Sequence, residues 1–261
     1  MRVLHIWDVS GVANTIAKFM DRTCGTQSKV IVRKSFDRFG FNTQGEVVSG
    51  GRVKFATKCL LEARSHDLIH VHSWDAIVPW VKKFYDKPVV FTNHSLLISR
   101  TWEAREGHIS KADAVTVVTE SFSRDGTIWI PNPVDTDLFH DQHQHVTGTA
   151  LHREYSATEE AETLARGHGL KLTVIPKAQP VMHNDLPALL NKYEYFVDVK
   201  RIPAISPDVF PAVSKMALEA LACGCKVIFW DGRVSDGLPE ENRPENVVQR
   251  YFDLYRRLLG E

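Results

Sequence analysis

Residues 67–94 read DLIHVHSWDAIVPWVKKFYDKPVVFTNH, and the fold class turns on them. Two short apolar runs rich in β-branched residues, LIHVH (68–72) and PVVFT (88–92), flank DAIVPWVKKFY, which has the apolar spacing of a helix. Short runs apolar on both faces are strands of a buried parallel sheet, and a parallel pair needs a crossover, usually a helix, between its members. The stretch is therefore expected to be a βαβ unit.

The same alternation extends outward. VLHIW (3–7), KVIVR (29–33), AVTVV (114–118) and TIWIP (127–131) supply further strands. GVANTIAKFMDR, VKFATKCLLEAR and a stretch near 95–110 supply helices. Together they predict one Rossmann-like domain of ordinary size. The pattern then begins again, with strands HVTGTAL (145–151), LKLTVIP (170–176), EYFVDV (194–199) and KVIFW (226–230), and helices at 156–167, 184–193 and 212–223. Between the two sets, DTDLFHDQHQH is polar and aperiodic and reads as a linker. The segment SFDRFGFNTQGEVVSGG reads as a surface loop. RPENVVQRYFDLYRRLLGE opens on Pro-Glu and repeats apolar residues at helical spacing, so a terminal amphipathic helix is expected, packing back on the first domain. The expected division is 1–140, 141–243 and the helix 244–261.

Composition narrows the function. The 261 residues are 43% hydrophobic and 25% charged, which suits a globular chain with a real core. Lys plus Arg and Asp plus Glu number 32 each, so no excess positive charge is available for a polyanion and nucleic acid is not an expected partner. No apolar run reaches the ~18 residues of a membrane span, and the amino terminus lacks the pattern of a signal peptide. A cytoplasmic location is expected, and no basic amphipathic helix supports membrane association. Cys24, Cys59, Cys223 and Cys225 have neither scaffold density nor zinc spacing and read as buried thiols. His70 and His72 alternate onto one strand face, but no third ligand follows at a fixed spacing; His140, His143 and His145 lie in the polar linker. No metal site is expected.

In open α/β sheets ligands bind beyond the carboxyl ends of the strands, with anions favouring nearby helix amino termini. Several such junctions carry recognisable motifs. DVSGVANTIA (8–17) is a Gly-containing turn opening a helix; DLIHVHS (67–73) and VFTNH (90–94) are strands ending in histidine. IPNPVDTDLF (130–139) and SKMALEALACGCKVI (214–228) are longer and more specific. In this order they resemble the retaining nucleotide-sugar glycosyltransferases of GT-B fold, the family of glycogen synthases, sucrose synthases and bacterial lipid mannosyltransferases, here as a short and partly degenerate member. The likeness runs from Met1 to about Trp230. It implies two Rossmann-like domains facing across a cleft, the second holding a nucleotide-sugar donor, with no metal or other cofactor. The acceptor would be a hydroxyl group of a glycan, a lipid or a small molecule.

The resemblance also implies roles. Gly11 lets backbone approach the donor. Glu219, on an apolar helix where a lone carboxylate would be expensive, accepts the ribose hydroxyls. Lys215, one turn earlier, faces the diphosphate and stabilises charge on the departing phosphate. His94 lies near the transferred sugar. Asn132, between Pro131 and Pro133, reads as closing a turn with its own amide. Two departures stand out. Where many members carry a glutamate eight positions before the one matching Glu219, this chain has Pro211, and Thr149 rather than arginine follows Gly148. Arg153 is then the nearest cation for the diphosphate, with Lys177, Lys200 and Arg201 also following predicted strands. His94 and Lys215 are the catalytic candidates, and Gly11, Arg153, Lys215 and Glu219 the donor-binding ones. The expected activity is sugar transfer; the alternative is a protein of the same fold that binds nucleotide or glycan, or partners a transferase, without catalysis.

Overall fold

The computed structural model describes residues 1–154, 157–202, 206–209 and 212–261, the side chains of 201, 202 and 206–209 excepted; Pro211 lies outside them. The chain forms two compact units, Met1–Pro133 with Glu241–Glu261, and Val134–Glu240.

Unit 1 is built on strands β1 (Arg2–Ile6), β2 (Gln27–Arg33), β3 (Gly45–Val48), β4 (Leu68–His72), β5 (Val89–Asn93), β6 (Ala114–Val117) and β7 (Thr127–Trp129). They form a seven-stranded sheet in the order β3-β2-β1-β4-β5-β6-β7, every pairing parallel. Strand alternation divides their side chains between two faces. Leu4, Ile6, Ile69, Val71 and Phe91 pack with Phe55 and Cys59 of helix α2 (Arg52–Ala63) and with Val78 and Val81 of α3 (Val78–Phe84). Val3, Leu68 and Val90 pack on the other face with Ile16, Phe19 and Met20 of α1 (Val12–Cys24) and with Val247, Val248, Tyr251 and Tyr255 of the C-terminal helix α9 (Pro244–Leu259). Proline at its start and Gly260, in the left-handed region at its end, bound α9. Helices α4 (Leu96–Arg100) and α5 (Trp102–Ile109) follow β5.

β3 corrects the loop expected over this stretch. Only Glu46, Val47 and Val48 have strand character, too short a run to stand out, and a glycine opens it. That glycine is required by its neighbour: a Cβ on Gly45 would lie 1.9 Å from the Val30 carbonyl oxygen, while the Val30 N–H donates to the Gln44 carbonyl at 3.1 Å. Gly45→Ala should therefore push β3 off β2 and cost about 1–3 kcal/mol. Denaturant unfolding checks this, and an unchanged midpoint would contradict the close approach.

Unit 2 carries β8 (Val146–Arg153), β9 (Lys171–Ile175), β10 (Tyr193–Asp198), a small antiparallel pair β11 (Arg201–Ile202) and β12 (Ser206–Val209), then β13 (Lys226–Phe229) and β14 (Val234–Ser235). Its main sheet runs β14-β13-β10-β8-β9, parallel except for β14. Helices α6 (Thr158–Gly167), α7 (Leu186–Leu190) and α8 (Lys215–Ala222) connect the strands. Leu151, Phe196, Leu218, Leu221 and Val227 form the main core. The expected linker begins inside this unit. Asp135 Oδ1 accepts from the backbone of Asp137 and Leu138, and the turn so formed places Val134 and Phe139 in the core. A polar turn carrying two anchors has no periodicity to reveal it.

Candidate functional site

In each unit the chain goes first to one side of a starting strand and then to the other, and ligands favour the crevice at the carboxyl ends of strands where that reversal occurs. In unit 1 the reversal lies between β1 and β4. Three of the non-glycine residues held at positive φ are there, Trp7 (73°) and Ser10 (56°) after β1 and Ser73 (57°) after β4. Such backbone costs of order 1–3 kcal/mol per residue, and it tends to cluster at functional sites. Gly11, at 78°, completes the turn, and a Cβ there would meet Phe41 at 3.0 Å. The amino terminus of α1 is capped from within, because Asp8 Oδ1 accepts from the Ala13 N–H at 2.9 Å.

His94 follows β5, its N–H donating to Ser73 Oγ at 3.0 Å. Its Nε2 lies 3.0 Å from His72 Nδ1, and its Nδ1 lies 3.3 Å from Asn132 Oδ1. His72 Nε2 in turn lies 3.1 Å from His5 Nδ1. Asn132 thus spends its amide on a histidine rather than on its own turn, and its carbonyl accepts from Asn242 at 2.9 Å. Parallel register brings His5 opposite His70, on the face that α9 covers. His70 holds Thr92 Oγ1 at 2.5 Å through Nε2 and the Tyr255 hydroxyl at 2.6 Å through Nδ1. Burial forces the charged forms down: His5 to about 3, His94 to about 4, and His70 and His72 well below the ordinary histidine value. Ring nitrogens of His5, His70 and His72 all lie within 4.8 Å of one another. The missing third histidine is therefore supplied by a neighbouring strand, which no spacing along the chain could reveal.

In unit 2 the reversal lies between β8 and β10. β8 ends in His152 and Arg153. His152 Nδ1 donates to the Val197 carbonyl at 2.9 Å, and Arg153 Nε is buried without a partner among the described residues. β10 ends in Asp198, whose carboxyl is pushed upward by burial, and Lys200 follows, its ammonium pulled down by burial against the opposing charge of Asp198. Asp198 also accepts from the Ser214 N–H at 2.8 Å, and Ser214 Oγ caps α8 by accepting from Ala217 at 3.1 Å. The strand end and the helix start are thereby tied together.

At the start of α8, Lys215 Nζ donates to Oε1 of Glu219 one turn later, with side-chain exposures of 11% and 5%. Each candidate thus has the other as partner. Burial pushes the Glu219 carboxyl upward while Lys215 opposes it. Lys215 also lies 5.9 Å from the Phe139 ring centre, and its charge helps burial hold His183 at about 4, against Asp135. His183 and Asp198 were not singled out in the sequence. The first sits in an aperiodic stretch, and the second ends a strand without a motif of its own. Lys177 is exposed, its N–H donating to Glu154 at 2.9 Å. The side chain of Arg201 is outside the described residues.

No protein-family model and no curated protein sequence matches the chain. Solved structures do. An α-glucosyltransferase in complex with UDP and a 13-mer DNA matches with a TM-score of 0.60 at 12% identity, covering 100% of this chain and 91% of that one. Sucrose-phosphate synthase from Thermosynechococcus elongatus matches at 0.54 and 14%, over 100% and 92%. Spinosyn rhamnosyltransferase complexed with thymidine diphosphate matches at 0.50 and 10%, over 100% and 92%. Among the described residues no helix is long and apolar enough to cross a membrane. Two doubly wound α/β units, the second followed by a helix that belongs to the first, and full-length likeness to these enzymes identify the chain as having the GT-B glycosyltransferase fold.

Proposed function

We propose that the chain is a glycosyltransferase that binds a nucleotide-sugar through unit 2 and transfers the sugar to a hydroxyl acceptor with retained configuration. The observation that carries the reading is the grouping of Arg153, Lys200 and the Lys215–Glu219 pair on elements that meet at the chain reversal of unit 2. Arg153, with its buried Nε unpartnered among the described residues, suits a diphosphate oxygen as a charge-assisted acceptor. Glu219 would accept the ribose hydroxyls, and Lys215 would turn toward the phosphate as the glycosidic bond breaks and negative charge collects there. His94, in unit 1, would donate to an oxygen of a sugar. The acceptor is a glycan, lipid or small molecule, no metal is required, and the reaction takes place in the cytoplasm.

A second reading, binding without catalysis, is favoured by the mutual engagement of Lys215 and Glu219 and by proline at 211. Transfer and hydrolysis measured across a panel of nucleotide-sugars separate the two. Tight binding with no turnover on any donor would select the second. Arg153→Gln is expected to weaken nucleoside diphosphate binding about tenfold or more, the loss of one hydrogen bond to a charged group, while leaving nucleoside binding unchanged. Calorimetry on both ligands checks this, and equal losses would remove Arg153 from the diphosphate.

A further inference from the structure

We propose that His5, His72 and His94 form one hydrogen-bonded row with a fixed direction, each ring carrying its proton on Nδ1, and that His5 and His72 are positioning residues that present His94 to a ligand as an N–H donor rather than as a base. A neutral imidazole has one N–H and one lone pair, so every nitrogen-to-nitrogen contact in a row consumes one of each. The row ends on Asn132 Oδ1, which only accepts, and this places a proton on His94 Nδ1. His94 Nε2 must then accept from His72 Nδ1–H, and His72 Nε2 from His5 Nδ1–H. What remains is a bare lone pair on His5 Nε2.

That atom is the member of the row that is buried without a partner. Reversing the direction would leave a buried N–H there instead, and orphaned donors are rarer in proteins than under-used acceptors. The two ends of the row therefore agree. Burial keeps all three rings neutral, as the bookkeeping requires. A metal ion is the competing use of the cluster. Yet His5 and His72 meet nitrogen to nitrogen at 3.1 Å, both nitrogens of His70 are taken up by Thr92 and Tyr255, and the three rings include no carboxylate to balance a dication.

The consequence for a ligand rests on the transferase reading of His94. Its Nε2 is committed to His72, so Nδ1 alone can be offered, and the Asn132 contact that a ligand would replace is the longest of the row at 3.3 Å. An oxygen arriving there meets an N–H. For His94 to accept a proton at Nδ1, three protons would have to shift together and strand an N–H at His5. The row thus selects a sugar or phosphate oxygen as acceptor and excludes His94 as general base.

Long-range proton–nitrogen NMR of the full chain labelled with ¹⁵N-histidine tests this at pH 7, with signals assigned through single-histidine variants. The expected result is three neutral rings, at positions 5, 72 and 94, each protonated on Nδ1. A proton on Nε2 of His94, or an imidazolium in the row, overturns the proposal. His5→Phe leaves the Asn132 acceptor in place, so His94 is expected to keep its proton on Nδ1, whereas Asn132→Leu removes that acceptor and His94 is then expected to become a mixture of tautomers; a pure Nδ1–H signal in Asn132→Leu would show that the end of the row on Asn132 does not set its direction. Stoichiometric zinc in the purified protein, with chelation shifting the His5 and His72 signals, would also overturn it. None of these readings uses a donor or turnover, so failure of the transferase reading leaves the row standing, and the reverse.

Discussion

Unit 1 is expected to lose stability steeply as the pH falls below about 6.5, well before ordinary carboxylates titrate. His5, His70 and His72 are fully buried, and burial holds each of them neutral far below the value of 6.5 they regain on unfolding. In that window the unfolded chain binds protons that the folded chain refuses, so stability rises with pH and falls on acidification. The slope begins near the unfolded value and continues down toward the folded ones, about 3 for His5. One such group contributes about 1.4 kcal/mol per pH unit, and three together about 4. A drop from pH 7 to 5 is thus comparable with the whole stability of a typical domain, roughly 5–15 kcal/mol. Denaturant unfolding followed by tryptophan fluorescence reports mainly on this unit, which holds Trp7, Trp74, Trp80, Trp102 and Trp129, against Trp230 in the other. His5→Phe should flatten the dependence by about one proton. Stability unchanged between pH 7 and 5 would mean that the rings are not buried as a neutral group.

Lys215→Met alone should destabilise unit 2 by about 3–5 kcal/mol, because it leaves the Glu219 carboxylate buried without its counter-charge. The double variant Lys215→Met/Glu219→Leu should recover most of that loss, since two apolar side chains of similar volume can replace a buried pair at little cost. The pair then serves as a test of function as well as of stability. If Glu219 also holds the ribose, the double variant folds normally but binds nucleotide more weakly by on the order of 1–3 kcal/mol. Thermal unfolding and calorimetry on the same two proteins give both answers. Full nucleotide affinity in the stable double variant would assign the pair to architecture alone.

The architecture was legible because parallel strands buried on both sides announce themselves as runs such as LIHVH and KVIFW, and because α9 repeats its apolar residues at helical spacing. Gly45–Val48 was not, since its fit depends on the Val30 carbonyl of the next strand. The candidate site divides in the same way. Lys215 and Glu219 are four residues apart on one helix, so their proximity could be read from the chain, whereas their engagement with each other rather than with solvent depends on how α8 is buried. His5 offered no signal at all. Its meaning comes from strand register, which sets β1 beside β4 and turns an isolated histidine into the end of a row.

Because α9 completes unit 1 although it is encoded after all of unit 2, synthesis delivers the two units out of step. While a ribosome is still making residues 134–240, the sheet of unit 1 stands with one face lacking Val247, Val248, Tyr251 and Tyr255, and His70 lacks its phenol partner. Such a nascent chain exposes apolar surface and an unfinished polar layer together, a state prone to wrong association. Unit 2 is the first part able to fold to completion during translation. Unit 1 closes only when the last helix emerges, so termination between residues 134 and 243 would release a chain whose earlier half, though fully synthesised, is never sealed.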